Sequence, residues 1–225
     1  MTKYSLLLAV LALCCLAVPA GAQPTVNNGD FETGADMFNT FPGYLGHFGG
    51  AGSYPAGDNP SEIPGWDSHT GGCGVVPGST AGDPGTPYDP KGAFRDNGAN
   101  ATNVAFLQGN ASITQTVTGF VIGTTYQLDF DYNARMDGNC CGTAGGHIPN
   151  FTVSLSDTDG SRMWSYNDSA ATSVDANGSY VNPWYHGRIT FRPDQDTLIL
   201  VVTSDTMGLD GTALIDNIAI SVFTP

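Results

Sequence analysis

Downstream of residue 103 the chain alternates apolar and polar residues in runs with the period of a strand that buries one face. Over 125–135, Tyr126, Leu128, Phe130, Tyr132 and Ala134 take one side, and Gln127, Asp129, Asp131, Asn133 and Arg135 the other. Phe151, Val153 and Leu155 alternate with Thr152, Ser154 and Ser156; Asp157-Thr158-Asp159-Gly160 marks a turn, and 162–166 reads as the return strand. Between Trp184 and Arg192, Tyr185, Ile189 and Phe191 face one way, and Trp184, His186, Arg188 and Thr190 the other. Thr197 to Thr203 is apolar on both sides, which predicts a central strand, and 213–223 supplies the last strand. Residues 103–108 and 111–117 read as two strands around Gly109-Asn110, a hairpin-type signal.

Upstream the pattern thins. Residues 26–32 predict a first strand. Residues 34–103 are dominated by Gly, Pro, Asn and Asp, with short strands expected near 63–66 and 93–95. A segment that long with little structure of its own is also where function tends to sit. No stretch sustains apolar residues at i, i+3, i+4, i+7. Many antiparallel strands with one apolar face each are expected to form two packed sheets.

The N-terminus changes the picture of location. Lys3 precedes an apolar run from Leu6 to Val18, and Ala20-Gly21-Ala22 has the small residues of a cleavage site. Residues 1–22 are therefore expected to be a signal peptide, 23–225 one secreted, extracellular domain, and no segment a membrane helix. Loss of Lys3 leaves six of the seven Lys and Arg residues against all 21 Asp and Glu. That balance argues against nucleic acid and anionic membranes as partners.

Three cysteines follow the signal: Cys73, Cys140 and Cys141. Export permits disulfides, and Cys73 is expected to pair with one of the adjacent two, since neighbouring cysteines rarely reach disulfide geometry. The spacing of these thiols and His147 fits no standard zinc pattern.

Several motifs stand in a recognisable order. They are Asn28-Gly29-Asp30-Phe31-Glu32, Pro64-Gly65-Trp66, Ala105-Phe106-Leu107, Ile113-Thr114-Gln115-Thr116-Val117, Gly123-Thr124-Thr125-Tyr126-Gln127-Leu128-Asp129-Phe130 and Leu214-Ile215-Asp216-Asn217-Ile218-Ala219-Ile220. Together the chain resembles galactose-binding-like jelly rolls, especially carbohydrate-binding modules of families 4 and 9, and is similar to the cell-wall proteins of domain-of-unknown-function family 642. The resemblance implies an all-β, antiparallel two-sheet jelly-roll β-sandwich with Trp66 in its core. It also implies a structural Ca²⁺ tying the first strand to the last, through Glu32 and Asp216 with oxygens near Asp30. Asp157-Thr158-Asp159-Gly160 resembles the start of a calcium loop but lacks the distal bidentate Glu, and reads as an ordinary turn.

Sugar recognition needs an aromatic face against the C–H surface of the ring and planar polar groups for the hydroxyls. Trp184, His186, Arg188, Arg135, Asn133 and Asp131 fall on matching polar faces of two strands, and Trp164 and Tyr166 on a common face that would extend the surface. The expected function is non-catalytic attachment to polysaccharide or cell-surface glycan. A structural or adhesive surface protein that self-associates is the alternative. A glycoside-active enzyme ranks below both: no nucleophile elbow or metal-binding His pair is present, and Asp129 and Asp131 sharing a face is a weak signal.

Overall fold

The computed structural model describes residues 23–38, 43–46, 60–76, 103–134, 150–169, 173–174, 180–181, 184–205 and 212–225. Among them the protein is all-β apart from a single 3₁₀ turn, Ala35–Met37. The strands are β1 (Asp67–Val76), β2 (Val104–Thr118), β3 (Tyr126–Ala134), β4 (Asn150–Asp157), β5 (Met163–Ser169), β6 (Ser173–Val174), β7 (Tyr180–Val181), β8 (Tyr185–Phe191), β9 (Thr197–Asp205) and β10 (Thr212–Val222). An antiparallel sheet runs β5-β4-β9-β2-β10-β3-β8, with β1 also on β2, and it folds over into a jelly-roll sandwich. β6 and β7 pair separately.

The folding-over happens within β2. Its first part pairs with β10, Ala105 opposite Ile215, and its second with β9, Thr114 opposite Val201. Gly109-Asn110, expected to turn a hairpin, instead lies inside this one continuous 15-residue strand. Gly109 takes φ 63° without reversing the chain, and the partner β1 shifts register at Gly71, φ 74°. A Cβ on Gly71 would lie 2.5 Å from the Asn110 carbonyl oxygen. The pair of strands thus bends at a glycine-lined irregularity and carries the chain from one layer to the other.

Between the layers, Phe151, Val153, Leu155, Leu198, Leu200, Val202, Ile113 and Val117 meet Leu128, Phe130, Ile189, Phe191, Ile215, Ile218 and Ile220, all buried. β9 is central, as its two-sided apolar character predicts. Trp66 is buried in this core, stacked on Phe31 at 5.7 Å.

Residues 26–32 do not form the expected strand. Asn28 and Phe31 both have positive φ, and the Phe31 N–H closes a turn onto the Asn28 carbonyl at 3.3 Å. The segment still reaches the last strand, where the Ile218 N–H donates to the Gly29 carbonyl at 2.9 Å. Residues 63–66 are likewise a turn, leading into β1, with Gly65 at φ 86°. The return strand expected over 162–166 runs further, β5 continuing to Ser169, and β6 and β7 follow it before β8. Residues 93–95 and 1–22 lie outside the described residues.

Candidate functional site

The two layers carry different outer faces. On β2, β9, β4 and β5 the outward rows are hydroxyl-rich: Ser112, Thr203, Thr152 and Asn167 in one, and Thr114, Val201, Ser154 and Ser165 in the next. Within these four strands the two rows hold no ionisable side chain, but Asp67 of β1 continues the second row beyond Thr114, and Asp205 ends the face opposite Asn150. The outer face of β10, β3 and β8 is graded instead. Its upper row places Leu214 opposite Asn133, and Trp184, one residue before β8, continues that row. The next row aligns Asp216, Asp131 and His186, and the one after it Asp129 and Arg188.

The charged rows form one network. His186 lies between two carboxylates, its Nδ1 2.9 Å from Asp131 Oδ1 and its Nε2 3.1 Å from Asp129 Oδ1. Arg188 Nε also donates to Asp129 Oδ1, and Gln127 Nε2 donates to Asp129 Oδ2 at 2.7 Å. The hydrogen bond to the Asp131 carboxylate raises the His186 pKa above its ordinary value; desolvation opposes it, and the Asp129 hydrogen bond and the two carboxylate charges add to the rise. About half of each of the His186 and Arg188 side chains stays exposed. The network can therefore present donors and acceptors to a polyhydroxy ligand while its geometry is fixed from beneath.

Asn217 completes it, donating from Nδ2 to Asp131 Oδ2 at 3.0 Å. It reaches that position because β10 bulges between Asp216 and Ala219, with Asn217 at φ 54° and its N–H donating to Asp216 Oδ1 at 2.7 Å. Trp184 is half-buried, packed on an apolar cluster of Tyr44, Val104, Phe106 and Leu214. It shares the outer face with His186 and Arg188, as their spacing predicts.

Other expected site residues are placed elsewhere. Asn133 is fully buried rather than solvent-facing, because its row is the apolar one between Leu214 and Trp184. Trp164 and Tyr166 do not extend the charged face: they lie on the inner side of β5 and pack against the core. Trp164 contacts Phe191 at 5.7 Å. The Tyr166 hydroxyl lies 2.9 Å from that of Tyr132, which also donates to the Asp168 carboxylate. Burial first, then these hydrogen bonds, push the Tyr132 phenol well above its usual range. Arg135 lies outside the described residues.

Each carboxylate expected to hold calcium accepts a hydrogen bond within the protein. Glu32 takes hydrogen bonds on both oxygens from Asn103, at 2.7 Å from its N–H and 2.5 Å from its side-chain amide. Asp30 Oδ1 is 3.4 Å from the Glu32 N–H, and Asp216 is buried beside Asp131. Among the described residues no three His, Cys, Asp or Glu side chains are grouped to hold a metal. Cys73 is buried, its thiol bonded to the Ser68 carbonyl at 3.2 Å, and burial pushes it up to about 12. Its expected partners Cys140 and Cys141 lie outside the described residues. No described helix is long and apolar enough to cross a membrane.

No family model matches the sequence, and no curated protein matches it. Among solved structures it is similar to the carbohydrate-binding module TmCBM61 in complex with β-1,4-galactotriose, at 12% identity and TM-score 0.44, over 90% of this chain and all of that one. It is similar to the K1 cleaved adhesin domain of Lys-gingipain from Porphyromonas gingivalis W83, at 12% identity and TM-score 0.45, over 71% of this chain and 92% of that one. A third is the CBM22-1 xylan-binding domain of Paenibacillus barcinonensis Xyn10C, at 15% identity and TM-score 0.35, over 72% and 87%. At these identities and scores the likenesses assign no function to this chain.

Proposed function

We propose that this protein is a secreted, non-catalytic carbohydrate-binding protein that attaches to polysaccharide or cell-surface glycan through the outer face of β10, β3 and β8. The observation that carries the reading is that a partly exposed Trp184 shares that face with the His186–Asp131 and Arg188–Asp129 pairs, in the next rows. An aromatic edge beside charge-assisted donors and acceptors is the chemistry a sugar ring selects. The non-catalytic part rests on Asp129 and Asp131, whose oxygens are engaged by His186, Arg188, Gln127 and Asn217 rather than left for proton transfer. Affinity electrophoresis against a panel of soluble polysaccharides tests it. Retardation by at least one glycan, lost in Trp184→Ala and weakened in Arg188→Ala, is the expected result. A folded wild-type protein that no glycan retards, or equal retardation of both variants, would overturn it.

A second reading, a self-associating surface protein, is favoured by the hydroxyl-rich face of β2, β9, β4 and β5. In a chain of formal net charge −14, that face lets two copies meet with few ionised groups to bury, Asp67 and Asp205 standing at its margins. Sedimentation velocity at high concentration tests it; a monomer throughout would dismiss it.

A further inference from the structure

The turn between β4 and β5 holds an unusual carboxylate. Asp157 ends β4 on the row of Phe151, Val153 and Leu155, facing inward, and is 2% exposed. Its Oδ2 accepts the Ser161 hydroxyl at 3.0 Å, which places the carboxylate within the turn, while its buried Oδ1 has no partner. A buried carboxylate oxygen that lacks both donor and cation is costly. The one cation in the turn does not serve it: Arg162 pairs with Asp194 at 3.1 Å and stands over the Trp164 ring.

The same turn carries further oxygen ligands. Asp159 follows at the i+2 spacing of calcium loops, with Oδ1 taking the Ser161 N–H at 2.9 Å. Gln195 is drawn onto the turn by the Thr158 hydroxyl, 3.1 Å from its Oε1. We propose that the Asp157–Ser161 turn binds a calcium ion, with Asp157 Oδ1 as its buried ligand and Asp159, Gln195 and backbone oxygens as the exposed ones. A hard cation satisfies the orphaned oxygen and offsets the buried charge at once. It shares no residue with the sugar-facing network of Asp129, Asp131, His186 and Arg188.

Terbium luminescence with the full chain tests this, because Trp164 lies opposite Leu155 in the β4–β5 ladder, two residues from Asp157, where it can sensitise a bound lanthanide. Sensitised emission that calcium competes away is expected. Calcium 100-fold above its Kd is expected to raise Tm by about 5–10 °C. Both responses should vanish in Asp157→Asn, weaken in Asp159→Asn and persist in Glu32→Gln, which removes a carboxylate near the chain ends instead. Absence of both responses in wild type overturns the proposal, as does their survival in Asp157→Asn. If that variant does not fold, undiminished responses in Asp159→Asn overturn it.

Discussion

Gln115 occupies an inward position of β2 between Ile113 and Val117, where the alternation calls for an apolar residue, and spends its amide on the N-terminal segment. Its Oε1 accepts the Asn27 N–H at 2.7 Å, and its Nε2 donates to the carbonyls of Asn27 at 2.8 Å and Gly65 at 2.7 Å. Gln115→Met keeps the shape and removes all three bonds. At about 1 kcal/mol net per bond the loss is about 3 kcal/mol. Burying the thioether returns about 1 kcal/mol. The stranded groups border a groove of about 600 Å³ lined also by Thr25 and Glu62, where water reaches them, so no full desolvation penalty is added. The expected net cost is about 2 kcal/mol, or a Tm lower by about 4–8 °C for a chain of this length. Gln115→Glu should be worse at neutral pH, because a carboxylate would face two carbonyl oxygens, and should recover as acid protonates it. Calorimetry with hydrogen exchange at the Asn27 amide measures both. A Tm within a degree of wild type for Gln115→Met, or Gln115→Glu more stable than Gln115→Met at pH 7, would refute the idea that this amide holds the N-terminal segment down.

Three further outcomes are expected. A Cβ on Gly187 would sit 2.2 Å from the Phe130 ring, so Gly187→Ala should cost about 1–3 kcal/mol by overpacking and be relieved by a second change, Phe130→Leu; urea denaturation of the single and double variants checks this. The His186 pKa is raised above 6.5 in the folded state, so its contribution to stability is complete below pH 6.5 and lost as pH rises through the folded value; the gap between wild type and His186→Asn should shrink above pH 6.5, and a constant gap would contradict the clamp. With its thiol pushed up to about 12, native Cys73 should resist iodoacetamide at pH 8 and react once denatured; labelling in denaturant only after reduction would instead reveal the disulfide expected from the sequence.

The strands of the second half were legible because each buries one face, so that Tyr126, Leu128 and Phe130 or Leu198, Leu200 and Val202 must repeat every second residue. The same logic put Asp131, His186 and Arg188 on one surface. It misplaced Asn133 because alternation tells which face a residue takes, not what covers that face: the covering Tyr44 comes from the Gly-rich stretch and is tied to β1 by its bridge to Gly74. Gly109-Asn110 misled because a turn signal and a bulge signal use the same residue types. Asn217 was missed, yet its mark is in the sequence. The inward residues of β10 run Ala213 and Ile215, then Ile218 and Ile220, and the jump from two to three is the bulge.

The contrast between the two outer faces also separates the two functional readings by one perturbation. Fourteen net negative charges hold copies of the chain apart, and salt screens that repulsion over about 8–10 Å at physiological strength. Association through the hydroxyl-rich face breaks no ion pair, so added salt should strengthen it. Attachment of a neutral glycan to the His186–Asp131 and Arg188–Asp129 network works otherwise. Those pairs are internal to the site, and a neutral ligand gains nothing from screened repulsion, so affinity should stay flat or fall as salt loosens them. Glycan retardation and sedimentation coefficient measured from 50 mM to 1 M NaCl should therefore diverge. Glycan binding that strengthens with salt in parallel with oligomer formation would mean that both run through the same uncharged surface, and the charged face would lose its assigned role.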